Sequence, residues 1–415
     1  MWRAGAAAVG VTLASCGSPF PPVSDGDGAM TGTVELPDEP AFGGAPPVPA
    51  GVAANTTTTV APSPFLPTTV PLPEGARAVT AAFTGDTLVH SPLWNQANRN
   101  AGGNGFDFTP MLAGLRPLLE SVDLAVCHLE TPIAPAGEEL STSPFYGVPV
   151  EIASAIGQAG YERCSTASNH VTDRGGAGID RTIAALAEVG VAQSGMARTP
   201  AEIEPQVITS GELALSHLSY TYGYNGNSLP SGEEWRSALI DPARIIADAT
   251  EARRRGAELV IVSLHWGAER LHDVTPDQRA IAEQLTASGT IDLIVGHHAH
   301  VLQPIEQING TWVVFGLGNI ISNLPLDGSS WPAASEDGAV VTTRLVIGAD
   351  GVVSVDRPVV HPTWVDRHNG FIVRDVMAEL VDPATPPQRR PALDASLART
   401  TAVLGPFLPS PPPPP

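Results

Sequence analysis

From Arg77 onward, short apolar runs alternate with longer amphipathic stretches, and this alternation sets the expected elements. Strands are predicted at residues 78–83, 122–127 and 163–167, with helices at 111–120, 151–159 and 178–189. Residues 206–220 read as two short strands around Ser210-Gly211, and 241–255 as a helix opened by Asp241-Pro242. An almost wholly apolar strand at 258–264 precedes a helix at 276–288, and a second apolar strand follows at 291–295. Further strands near 311–317, 339–347 and 352–355 follow with no helices between them, the last two joined by the turn Gly348-Ala349-Asp350-Gly351. Early strand-helix alternation predicts a mostly parallel sheet with helices outside, and the later hairpins add antiparallel strands. The expected fold is therefore an α/β domain with two packed sheets.

In open α/β sheets, chemistry gathers at the carboxyl ends of strands. Five predicted strands end in residues able to bind metal: Gly85-Asp86; His128-Leu129-Glu130; Ser168-Asn169-His170 with Asp173 beyond; His265-Trp266-Gly267; and His297-His298-Ala299-His300. Six of the 11 histidines fall in these places, which points to a shared site rather than scattered imidazoles. Taken singly, each residue also has a plainer explanation. Asp86 and Asn169 suit turns, Glu130 a solvated loop, and His265 a hydrogen-bonded core position.

Composition narrows the surroundings. Lys and Arg total 22 against 43 Asp and Glu, and no basic run is long enough to track a phosphate backbone, so nucleic acid is excluded as an expected partner. The same net charge of −21 opposes tight holding of an acidic polymer unless bound cations reverse the local field. Residues 1–16 have the form of a lipoprotein-type signal, with Cys16 as the lipidated residue and an ordinary secretory signal as the alternative; both end outside the cytoplasm. Residues 17–76 read as a disordered Pro-, Thr- and Ala-rich linker, 77–358 as the globular domain, and 359–415 as a C-terminal extension ending in a Pro-rich tail. For Cys127 and Cys164, a bridge and a pair of buried thiols both remain open.

Together these motifs resemble the bacterial CapA capsule-synthesis family. The resemblance is carried by Thr84-Gly85-Asp86, His128-Leu129-Glu130-Thr131-Pro132, Ala167-Ser168-Asn169-His170, Leu264-His265-Trp266-Gly267, Gly296-His297-His298-Ala299-His300 and Gly316-Leu317-Gly318-Asn319. It implies likeness to calcineurin-like metallophosphoesterases, hence a four-layer α/β/β/α sandwich with two divalent metal ions of the Mn, Fe or Zn kind. On that resemblance Asp86 and His300 belong to one metal, Glu130 bridges both, and Asn169, His265 and His298 hold the second. It also implies that His170, oriented by Asp173, donates a proton or a hydrogen bond to the leaving oxygen. His128 and His297 stand behind the ligands, and Gly316 to Asn319 form a neighbouring loop. The implied role is in making or tethering poly-γ-glutamate, with a cell-envelope polymer or a small anionic molecule as substrate, either by hydrolysis or by binding alone. One departure stands out: the metallophosphoesterase pattern supplies a His two residues after the first Asp, where this chain has Leu88.

Overall fold

The computed structural model describes residues 71–325 and 328–409, all within one compact unit. The expected signal at 1–16, nearly all of the linker and the terminal proline run lie outside the described residues. The strands are β1 (Arg77–Thr87), β2 (Leu124–Leu129), β3 (Arg163–Ser165), β4 (Ala192–Ser194), β5 (Ile208–Ser210), β6 (Leu213–Thr221), β7 (Leu259–His265) and β8 (Leu293–His297). They continue with β9 (Ile305–Ile308), β10 (Thr311–Val314), β11 (Asn319–Ile321), β12 (Asp337–Ile347), β13 (Val353–Val355), β14 (Val359–Asp366) and β15 (Ile372–Asp375). The helices are α1 (Ser91–Asn100), α2 (Thr109–Leu112), α3 (Arg116–Leu119), α4 (Glu151–Ala159), α5 (Gly175–Glu188), α6 (Pro242–Arg254), α7 (Pro276–Ala287), α8 (Val376–Val381) and α9 (Arg390–Leu404).

One sheet runs in the order β15, β14, β12, β1, β2, β3, β4, with β11 added beside β1 and β13 beside β12. Strands β1 to β4 are parallel to one another, whereas β12 pairs antiparallel with β1 and with β14. The other sheet runs β5, β6, β7, β8, β10, β9, parallel through β6, β7, β8 and β10 and antiparallel at both edges.

The pleat sorts the side chains into layers. Successive residues of a strand point to opposite faces, so Leu124 and Val126 of β2, with Leu259 and Ile261 of β7 and Leu293 and Val295 of β8, meet in one core between the sheets. The alternate set on β2, Ala125 and Cys127, packs outward with Leu93, Met111 and Ile152 under the first helices. On the far side Val260, Val262 and Ile294 pack with Ile245 and Leu285 of α6 and α7. The result is the α/β/β/α sandwich.

Local chemistry explains most element boundaries. Asp241 caps α6 by accepting from the Ala243 amide, and Thr275 with Gln278 forms a reciprocal capping box on α7. The helix expected over 111–120 is split into α2 and α3 by a tighter turn at Ala113–Leu115, where Pro117 has no amide to return to the Ala113 carbonyl. Cys127 and Cys164 stand opposite each other on β2 and β3, with Cα atoms 4.4 Å apart, and are joined as a disulfide. The boundary expected after 358 falls inside the first sheet, because β14 pairs with β12 along its length and β15 with β14. Further on, α9 is tied to β12 by Arg399 and Ser396, which both bond the buried Asp337 carboxylate. Residues 359–409 are therefore part of the domain.

Candidate metal centre

The inner-face alternation that fills the core continues one step past it. After Val126 comes His128, after Ile261 come Ser263 and His265, and after Val295 comes His297, so three imidazoles close the core at the strand ends. His128 donates or accepts between Nε2 and His265 Nδ1 at 3.0 Å and holds Ser165 Oγ at 2.8 Å through Nδ1. Its ring stacks on His297, with centroids 4.0 Å apart. On β1 the register shifts between Phe83 and Asp86, and the Asp86 amide bonds the Gly318 carbonyl. A Cβ on Gly85 would stand 2.3 Å from that same carbonyl, so only glycine lets the two chains approach.

The chain then turns sharply through the histidine run. His298 and His300 both sit in the left-handed region, at φ of 91° and 56°, a costly conformation for residues with a Cβ. The turn aims Nδ1 of His300 at Asp86 Oδ2 (3.1 Å) and Asn319 Oδ1 (2.9 Å), leaving Nε2 3.6 Å from Glu130 Oε1. The His298 amide donates to Asp86 Oδ2 at 3.1 Å. From the third strand end, Asn169 accepts His265 Nε2 at 2.9 Å through its side-chain oxygen while its amide nitrogen faces Asn225 at 3.2 Å.

Potential ligand atoms fall into overlapping trios. Asp86, Glu130 and His300 form one, and Glu130, His265 and His298 another, each with ligand atoms within 4.8 Å of one another. Glu130 is common to both, the arrangement a bridging carboxylate requires. Asp86 also groups with His128 and His297, and an exposed Glu269 groups with His298 and His300. His90 lies outside all four groups; it bonds the Tyr146 hydroxyl instead. Leu88, at the position where the resemblance calls for a histidine, is buried.

Whether these residues suit a metal pair can be judged from their unmet bonds. Both oxygens of fully buried Glu130 and Nδ1 of His298 have no hydrogen-bond partner, and Asp86 Oδ1 and His297 Nδ1 meet only each other, 3.3 Å apart. Each such group costs on the order of 1–3 kcal/mol when left unpaired, and a site holding several of them is matched by cations rather than by further side chains. The donor set of carboxylates, imidazoles and an amide oxygen fits divalent transition metals. Burial raises Glu130 to about 8, while His298 is pushed down to about 3 and His128 and His265 well below the ordinary imidazole value, keeping those rings neutral and able to ligate. Burial opposes charge on His300 too, but Glu130 and Asp86 outweigh it and raise the ring to about 10. Burial likewise opposes ionisation of Asp86, and the His297 and His300 rings beside it hold it well below the usual carboxylate range.

A cleft of about 320 Å³ opens beside this cluster, lined among others by Tyr146, His170, Glu269, His300 and Trp331. His170 bonds Asp173 Oδ2 through Nδ1 at 2.7 Å, and the same oxygen accepts the Tyr146 amide at 2.7 Å. The structure therefore brings Asp86, Glu130, Asn169, His265, His298 and His300 into one cluster, with His128 and His297 packed behind, and sets His170 on the cleft wall with the buried Asp173 carboxylate behind it. Sequence reasoning overlooked Glu269, Tyr146 and the side chain of Asn319. Only Asn319 carried a signal, as the last residue of the Gly316 to Asn319 motif.

Against known proteins, residues 80–324 match the family described as bacterial capsule synthesis protein PGA_cap. The chain belongs to this family. It is 29% identical over 175 residues to the capsule biosynthesis protein CapA of Bacillus anthracis, covering 41% of this chain and 42% of that one. It is 24% identical over 252 residues to the PGA biosynthesis protein CapA of Bacillus subtilis strain 168, covering 59% and 63%. The chain thus spans about half the length of the relatives it matches. Among solved structures, a calcineurin-like phosphoesterase from Bacillus subtilis aligns over 77% of this chain and 100% of its own at 14% identity, with a TM-score of 0.41.

Proposed function

We propose that this capsule-synthesis family member is an exported, metal-dependent hydrolase of the cell envelope, acting on a capsule polymer or on its small anionic precursors. The observation that carries the reading is Glu130: fully buried, shared by two ligand trios, and with neither oxygen in a hydrogen bond. Asp86 and His300 would hold one ion, Asn169, His265 and His298 the other, with Glu130 between them. Such a pair, when bound, supplies an activated water and neutralises developing charge in a displacement.

The chain's own groups do the rest. Asp173 fixes the His170 ring through Nδ1, so that Nε2 is the nitrogen available to give a proton to a leaving oxygen in the cleft. His128 meets Nδ1 of His265 and fixes that ring's plane, so Nε2, which faces Asn169 Oδ1, is the nitrogen that would turn to an ion. The Cys127–Cys164 bond supports an oxidising compartment, and the lipoprotein-type signal at 1–16 supports anchoring to a membrane through Cys16. Leu88, in place of the histidine that the resemblance calls for, favours a second reading: a lipid-anchored protein that uses the same site to bind or tether an envelope polymer without cleaving it.

Metal analysis of protein purified without chelators, followed by assays on a generic phosphodiester and on poly-γ-glutamate, tests both. The expected result is about two divalent ions per chain, with hydrolysis lost in Asp86→Ala and His298→Ala. Absence of stoichiometric metal overturns the metal-centre reading. Metal without hydrolysis of either substrate favours the tether, and hydrolysis surviving in both variants moves the site elsewhere.

A further inference from the structure

Glu269 does not belong to the ligand set above, yet it lines the cleft beside the cluster. One of its carboxylate oxygens lies within 4.8 Å of ligand nitrogens on both His298 and His300. Those two imidazoles are the ones that Glu130 also approaches, one in each trio. The same pair of rings is thus addressed by two carboxylates, one fully buried and one exposed to solvent. His298 supplies an independent sign that something is to be bound there: it is 4% exposed, and its Nδ1 has no hydrogen-bond partner.

The loop that carries Glu269 is held in place at both ends. Trp266 donates its amide to the His297 carbonyl at 3.2 Å, and Arg270 donates its own to the Ala299 carbonyl at 2.8 Å, so residues 266–270 ride on the histidine turn. The Arg270 side chain bonds Ser330 Oγ at 2.8 Å and lies 5.1 Å over the Trp331 ring, which in turn stands edge-on to His300. Between these anchors Glu269 is exposed and its side chain lines the cleft.

We propose that Glu269 is a displaceable ligand of the metal centre: its carboxylate occupies the open face in the resting protein and gives way to the anionic group of the substrate. The inference rests on the metal-centre reading. A buried carboxylate such as Glu130 has nowhere else to go, whereas an exposed one exchanges with solvent at little cost, so the two are suited to permanent and temporary coordination respectively. A phosphate or carboxylate group entering the cleft would take the position that Glu269 vacates.

The test titrates inorganic phosphate calorimetrically into the metal-loaded full chain, unaltered and with Glu269→Gln or Glu269→Asp, counting bound metal in each. Both variants should keep the full metal content and bind phosphate roughly tenfold more tightly, the effect of removing a competitor worth about 1.4 kcal/mol. Aspartate separates ligation from mere repulsion, since it keeps the charge but falls short of the ions. If Glu269→Asp binds phosphate like the unaltered protein while Glu269→Gln binds more tightly, only repulsion acts and the proposal fails. It fails equally if neither variant changes the affinity, or if either loses metal and so exposes Glu269 as a permanent ligand. An unaltered chain that takes up no metal would instead overturn the reading on which the proposal stands.

Discussion

Asn319 accepts from His300 Nδ1 through its side-chain oxygen, and its amide donates to the His300 and Ser335 carbonyls. It therefore fixes which nitrogen of His300 turns toward Glu130, an orienting task that costs about 10–100-fold in metal affinity when it is lost. Asn319→Ala is expected to weaken metal binding by that factor in a chelator competition, with Asn319→Asp, which retains an acceptor, recovering most of it. At this scale the sequence was partly legible. The run Gly296-His297-His298-Ala299-His300 announces itself because imidazoles rarely cluster without a ligand, and recurrence at successive strand ends linked it to Asp86, Glu130 and Asn169. Glu269 was invisible because an acidic loop residue in a chain with 43 Asp and Glu carries no distinguishing mark. Its meaning depends on the left-handed turn at His298 and His300, which no periodicity predicts.

Among elements, α4 and α6 and strands β7 and β8 were readable from apolar runs and caps, whereas β14 was not. Its middle residue Pro362 argues against a central strand, since it cannot donate to a ladder, and yet β14 lies between β12 and β15. Short β11, only three residues long, and α9, whose Thr400-Thr401 pair weakens any helical signal, escaped for similar local reasons. Strand β14 also carries His361, which is buried and bonded to Thr342 Oγ1 at 3.1 Å. Burial lowers this ring from 6.5 to about 4. Between those values the unfolded chain binds a proton that the folded chain refuses, so stability is intact above pH 6.5 and falls as the pH drops toward 4. The loss amounts to roughly 3 kcal/mol from this group alone. Urea unfolding across that range should show the gap between the unaltered protein and His361→Gln narrowing or reversing as the solution is acidified.

For the molecule as a whole, the two-sheet α/β sandwich followed from the order of runs, but the closure of the first sheet did not. Strand β1 sits at its centre, parallel to β2 on one side and antiparallel to β12 on the other, with Arg77 opposite Ile347. The family match ends at residue 324, before β12 begins at Asp337. A fragment cut to 80–324 would leave β1 without its longest partner and expose Ala81 and Phe83 along the opened core. Such a fragment is expected to be digested rapidly in limited proteolysis under conditions in which the chain from residue 71 to 409 resists. The pairing of β1 with β12 also sets an order of events in time. Contacts between such distant segments are slow to form because loop closure must come first. A ribosome delivering this chain from its N-terminus releases β1 long before β12 exists, so the central strand waits without its neighbour through most of synthesis. The first sheet consequently cannot close until residues 337–366 have emerged, so completion of the ligand motifs does not by itself complete the sheet around β1.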